Sequence, residues 1–153
     1  MITFYAEEGV RMPELRRRIV KAWLKTVALS YGKRIGTLCY QFCNDERILE
    51  VNKQFLNHDY YTDIITFDES WDDTLSGDML ISLDTVRSNA EMLGATLEEE
   101  LHRVIVHGLL HLSGLRDKTK SEAKRMRSAE DEALGALRNL LPEGVSLLAK
   151  RYK

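Results

Sequence analysis

His107 and His111 stand four residues apart in Val106-His107-Gly108-Leu109-Leu110-His111-Leu112-Ser113-Gly114-Leu115-Arg116-Asp117. In a helix that spacing puts both imidazoles on one face, a single turn apart, where they can converge on one ion. Gly114 offers a stop, because glycine readily takes the left-handed conformation that ends helices, and the chain beyond can double back to bring Asp117 to the pair. The result is His-x3-His-x5-Asp, a set of two nitrogens and one oxygen. Catalytic zinc usually keeps three protein ligands and an open fourth position, whereas a fourth cysteine or histidine would mark a structural site. Packing alone also places histidines on apolar helices. Here the helix carries Val104, Ile105, Leu109, Leu110 and Leu112, and an unpaired ring buried among them would cost roughly 1–3 kcal/mol, which favours ligation. In His-Glu-x-x-His hydrolases the glutamate is the general base; Gly108 holds that place, so a metalloprotease mechanism is not written into this helix.

The elements that must position these residues follow from patterning. Ile2-Thr3-Phe4-Tyr5 is β-prone, and Pro13 is placed to open a helix through Leu15, Ile19, Ala22, Trp23, Val27 and Leu29, ended by Gly32 and Gly36. Residues 37–43 alternate as a half-buried strand, with Leu38, Tyr40 and Phe42 on one side. Asn44 or Asp45 caps a short helix carrying Ile48, Leu49, Val51, Asn52 and Phe55. Residues 64–67 form a strand, an acidic connection runs from Asp68 to Ser76, and residues 78–82 return antiparallel to the first. Asp84 caps a helix that ends at Gly94, and Thr96-x-x-Glu99 is a capping box for the histidine helix. A last helix runs from about Lys120 to Leu141, stopped by Pro142, with Met126, Ala129, Ala133, Leu137 and Leu140 as core positions. The order β-α-β-α-β-β-α-α-α predicts one α+β domain over residues 1–153, a small mixed sheet of about four strands flanked by about five helices.

The ligand stretch, His-Gly-x-Leu-His-Leu-x-Gly with a further ligand six positions after the second histidine, resembles the YbeY family of bacterial rRNA maturation factors. Three segments agree in order: Val51-Asn52-Lys53-Gln54-Phe55, Thr62-Asp63-Ile64-Ile65-Thr66-Phe67 and Gly77-Asp78-Met79-Leu80-Ile81-Ser82. Each is short, but their ordered combination spans residues 51 to 117. The resemblance implies a zinc-dependent, single-strand-specific endoribonuclease acting in 16S rRNA processing and ribosome quality control, with His107, His111 and Asp117 on one Zn2+ ion. It also implies rRNA precursor and the small ribosomal subunit as partners. This sequence departs from the family twice. Asp117 stands where the third ligand is usually histidine, a tolerable exchange that lowers the formal charge of ion plus ligands from +2 to +1 and should acidify bound water less. Leu56 stands where the family carries an arginine suited to gripping phosphate.

Composition narrows the surroundings. The 153 residues are 44% hydrophobic and 30% charged, as in ordinary globular domains. They include no apolar run long enough for a membrane span and no signal-peptide pattern, so the expected location is the cytoplasm. Cys39 and Cys43 lie four apart in a strand, roughly 13 Å from each other, which predicts buried free thiols in a reducing compartment. A net charge of −2 excludes a broadly basic nucleic-acid binder, so RNA contacts must be local. Two patches qualify, Arg16-Arg17-Arg18 with Lys21 and Lys25, and Arg116, Lys118, Lys120, Lys124, Arg125 and Arg127 beside the ligands. Tyr60 and Tyr61 in the loop 57–61 are suited either to stacking on bases or to filling the core edge.

Asp63, Asp78, His58 and Glu100 are all conceivable general bases, and the substrate 2′-hydroxyl is an alternative nucleophile. Glu100 could also orient an imidazole, but a helix-surface salt bridge is its expected role. His102 belongs to another helix face and is not a ligand. Two rival readings use the same ligands. A non-haem iron oxygenase also employs two histidines and a carboxylate. A non-catalytic ribosome-assembly or RNA-binding protein would use the metal only as a brace, and Leu56 favours that reading.

Overall fold

A computed structural model describes residues 1–56 and 62–149. The loop 57–61, with His58, Tyr60 and Tyr61, and the tail 150–153 lie outside the described residues. The elements are β1 (Ile2–Ala6), α1 (Arg17–Ser30), β2 (Arg34–Cys43), α2 (Asp45–Phe55), β3 (Ile64–Asp68), β4 (Thr74–Ser82), α3 (Leu83–Leu93), α4 (Leu97–Leu112) and α5 (Lys120–Leu140). This is the predicted order. The strands form one mixed sheet in the order β1-β2-β4-β3, parallel between β1, β2 and β4 and antiparallel between β4 and β3.

Alternation in β2 sets up the core. Leu38, Tyr40 and Phe42 are fully buried on one face with Ile2, Phe4, Met79 and Ile81, and the Phe4 and Tyr40 rings stack with centroids 5.3 Å apart. Against this face pack α1 and α4, with α5 outside them. The Trp23 indole of α1 donates to the Ala133 carbonyl of α5 over 2.7 Å, and the Tyr40 hydroxyl donates to the Ile105 carbonyl of α4 over 2.9 Å. The opposite face is smaller. There Ile48 and Val51 of α2 cover Cys43, Ile65 and Leu80. Both cysteines are free, but only Cys43 is buried; Cys39 lies near the open part of this face and is half-exposed.

Several expected boundaries move, each for a local reason. Pro13 does not open α1, because Leu15 is drawn into the core beside Leu148 and Arg16 donates to the Ser146 carbonyl, so the helix starts at Arg17. Gly36 lies inside β2, where a Cβ would sit 2.5 Å from Ser76 Oγ. β4 begins at Thr74, since Trp71 and Thr74 exchange backbone hydrogen bonds across a two-residue turn. Strand β4 runs directly into α3, which makes Ser82 the cap, while Asp84 accepts from the Asp45 N–H over 3.0 Å. Thr96 caps α4, but Glu99 turns to Arg138 at 3.3 Å. A full capping box forms instead at α5, between Thr119 and Glu122. Leu140, expected in the core, is 45% exposed.

Candidate active site

Helix α4 is the central element, and it is buried along almost its whole length. Gly108 explains how it lies so close to the sheet. A Cβ at this position would stand 2.7 Å from Met79 Sδ and 3.0 Å from Ile64 Cδ1, so the missing side chain is what lets α4 settle on β3 and β4. At its end the Gly114 N–H donates to the His111 carbonyl and the Leu115 N–H to that of Leu110, while Gly114 takes φ +107°. That left-handed turn reverses the chain. Asp117 Oδ2 thereby comes to 3.4 Å from His107 Nε2.

His107, His111 and Asp117 line one cleft of about 300 Å³, together with Asp63, Asn52 and Leu56. The three residues singled out from spacing are therefore neighbours in space. Among the described residues, no group of three or more His, Cys, Asp and Glu side chains is arranged to hold a metal ion as it stands. His111 is solvent-exposed on the last turn of α4. Leu56 caps the end of α2 and sits at the cleft, 41% exposed.

His107 is held from behind by a residue that the sequence reading passed over. Its Nδ1–H donates to Glu130 Oε2 over 2.7 Å. Glu130, on α5, is buried, and its other oxygen accepts from Arg103 Nη1 over 3.1 Å; Arg103 Nη2 in turn donates to Asp131 over 2.7 Å. A signal was present, because position 130 falls on the same stripe as Met126, Ala133, Leu134 and Leu137. A carboxylate on such a stripe requires buried partners.

Electrostatics in the cleft follow from this packing. Burial by itself would lower the His107 pKa, but the Glu130 hydrogen bond and charge, with Asp63 and Asp117, carry it above the usual value. Asp63 is pushed up, chiefly by burial, against an opposing pull from His107. Of the other conceivable bases, Asp78 lies on a different groove beside Tyr5 and Cys39, away from the histidines. Glu100 does not form a surface bridge: it is buried, 3.9 Å from Arg103 Nε, and its carboxyl is raised by burial and then by the Asp63 charge. His102 is buried on another face, as expected, with Nδ1 donating to the Glu98 carbonyl over 2.7 Å.

The chain resembles known proteins over most of its length. A family model described as Endoribonuclease YbeY matches residues 4–138. A protein named Endoribonuclease YbeY from Porphyromonas gingivalis is 57% identical over 147 residues, 96% of this chain and 97% of that protein. One of the same name from Bacteroides thetaiotaomicron is 58% identical over 134 residues, covering 88% and 98%. Among solved structures, the solution structure of TM1509 from Thermotoga maritima superposes with a TM-score of 0.61 at 26% identity, covering 99% of this chain and all of that one.

Proposed function

This chain belongs to the YbeY family, and from that premise we propose that it is an endoribonuclease whose cleft holds one zinc ion on His107, His111 and Asp117. The endoribonuclease activity is the one its relatives are named for, over nearly their whole length. Neither rival, the iron oxygenase or the non-catalytic brace, is favoured by those relatives.

One observation carries the metal reading: His107 Nε2 and Asp117 Oδ2 stand 3.4 Å apart while Nδ1 is tied to Glu130. Two donors at zinc bond lengths of 2.0–2.1 Å, subtending a tetrahedral angle, are separated by roughly 3.3–3.4 Å. A histidine that ligates through one nitrogen and gives its other N–H to a carboxylate is the usual arrangement around zinc. Among the described residues the cleft lining offers two carboxylates and two imidazoles but no lysine or arginine, a donor set suited to a cation. His111 lines the same cleft from the last turn of α4 and would supply the third donor.

A zinc ion held by His107, His111 and Asp117 would supply Lewis acidity there, acidifying water and offsetting charge on a scissile phosphodiester. Glu130 fixes the tautomer of His107 and the direction of its ring. Asp63 lines the same cleft, where its carboxylate oxygen would be placed to take a proton and return it. The substrate in this reading is single-stranded RNA, in particular 16S rRNA precursor on the small ribosomal subunit, in processing and quality control. The cytoplasm is the matching location, supported by two free thiols and by the lack, among the described residues, of any helix long and apolar enough to cross a membrane.

The test is cleavage of single-stranded RNA by purified protein with zinc, beside His107→Ala and Asp117→Ala variants shown to be folded. The parent should cut and both variants should lose at least about a hundredfold in rate, the scale on which catalytic groups act. Equal cleavage by all three would mean a contaminating nuclease and would remove the support for this site.

A further inference from the structure

The active-site cleft has a charge problem for a polyanionic substrate. Asp63 and Asp117 line it, Glu130 lies behind it, and among the described residues no lysine or arginine faces into it. Attraction for a phosphate backbone must come from beside the cleft. Residues 116–127 hold six cations and two carboxylates, a net of +4 within a chain of −2, which leaves −6 on everything else. All six cations are exposed.

A second cavity of about 280 Å³ opens within this segment, walled by Tyr31, Ser113, Arg116, Glu122 and Arg125. It shares the loop 113–117 with the cleft, since Arg116 directly precedes Asp117. Neither Arg116 nor Arg125 has an ion-pair partner within 4 Å among the described residues. Glu122, on the cavity wall, accepts from the Thr119 N–H over 3.0 Å, a bond that, with the Arg116 charge, holds its carboxyl below the usual value. Tyr31, at the end of α1, presents a half-buried aromatic ring. The larger groove on the other sheet face, about 520 Å³, lacks this character: Glu69 and Asp78 are exposed there, and its Arg47 is paired with Glu50 at 2.8 Å and faces Glu7 at 3.7 Å.

We propose that the cavity walled by Tyr31, Arg116 and Arg125 is a subsite for one flanking nucleotide of the RNA strand, its phosphate gripped by the two guanidiniums and its base laid against Tyr31. The inference rests on the ribonuclease reading and extends it. Guanidinium forks match phosphate oxygens, and unpaired bases stack on aromatic rings regardless of sequence. The subsite therefore selects single strands, whose bases are free to stack, and sets which side of the cleft the strand leaves by.

The test is fluorescence anisotropy of a labelled 2′-O-methyl oligouridylate of about a dozen nucleotides, which resists cleavage, bound to the full chain with zinc across a salt series. Each phosphate contact on a single strand contributes about 0.7 to the slope of log K against log salt. Because both guanidiniums grip one phosphate, Arg116→Gln with Arg125→Gln should lower that slope by about 0.7 and weaken binding about fivefold near 0.1 M salt. Arg125→Gln alone, which leaves the Asp117 loop untouched, should fall between the parent and the double variant in both slope and affinity. Tyr31→Ala should weaken binding between about 5- and 150-fold with the slope unchanged. Arg138→Gln is the control; this exposed cation belongs to neither basic patch, lies about 20 Å along α5 from Arg125, roughly two Debye lengths, and should change affinity less than about twofold. If the Arg116/Arg125 variants do no more than this control while the parent still cleaves RNA, the subsite is refuted and the ribonuclease reading stands. If the parent neither binds nor cleaves, both fall.

Discussion

Replacing Glu130 by alanine removes two hydrogen bonds at once from a position only 6% exposed. His107 Nδ1–H loses its acceptor at 2.7 Å, and Arg103 loses one of the carboxylates that neutralise its buried guanidinium. Stripping one partner from a buried ion pair costs about 3–5 kcal/mol. Arg103 keeps its 2.7 Å contact to Asp131, which retains roughly half of that, and the orphaned imidazole N–H adds about 1 kcal/mol. The sum is about 3 kcal/mol, or a fall in Tm of about 6–12 °C for a domain of this size. Because Glu130 also aims the imidazole, zinc affinity should drop about 10- to 100-fold. Asp131 supplies the contrast. Its side chain is 60% exposed, so Asp131→Ala should cost less than about 1 kcal/mol and leave zinc affinity intact. The assays are thermal unfolding with chelator present, which isolates the protein's own stability, and competition against a chromophoric zinc chelator. A Glu130→Ala protein that binds zinc like the parent, and melts no lower than Asp131→Ala, would refute both the buried network and its role in orienting His107.

Gly108→Ala should destabilise by about 1–3 kcal/mol, since its methyl meets Met79 Sδ at 2.7 Å in a closed core; a melting temperature equal to the parent's would contradict the close seating of α4. Gly108→Glu should prevent folding instead of creating a protease, as a circular dichroism spectrum would show. Stability should also fall in acid because of His102. Burial pushes its pKa down to about 4, so between about pH 6.5 and 4 the unfolded chain binds a proton that the folded chain refuses, and stability declines as pH falls through that window. From pH 7 to 4.5 the parent should lose about 2–3 kcal/mol more than His102→Leu in urea unfolding with chelator present; parallel losses would sink this assignment.

What could be read from sequence was governed by which forces act locally. Alternation in residues 38–42 marked the buried face of β2 because side-chain direction in a strand has a fixed period of two. Gly94 and Gly114 marked helix ends because φ +67° and φ +107° suit glycine. Spacing brought His107 and His111 together, and the Gly114 turn delivered Asp117. Glu130 escaped because it lies 23 residues from His107 and depends on α5 docking against α4. For the same reason Glu100 read as a surface residue, although the approach of Arg103 and the packing of α4 bury it. The pairing of β2 with β4, which puts Met79 under Gly108, is also set by long-range contact. Ser82 displaced Asp84 as a cap because no loop separates β4 from α3, a fact of topology that no local pattern announces.

X-ray absorption spectroscopy of the zinc-loaded chain tests the central claim most directly, since it reads the ion's neighbours atom by atom. The account predicts one zinc per chain with two imidazole rings and two oxygens at about 2.0–2.1 Å and no sulfur. His111→Ala should leave a single ring. A first shell containing sulfur from Cys39 or Cys43, or the same two-imidazole spectrum after His107 and His111 are both replaced, would contradict it.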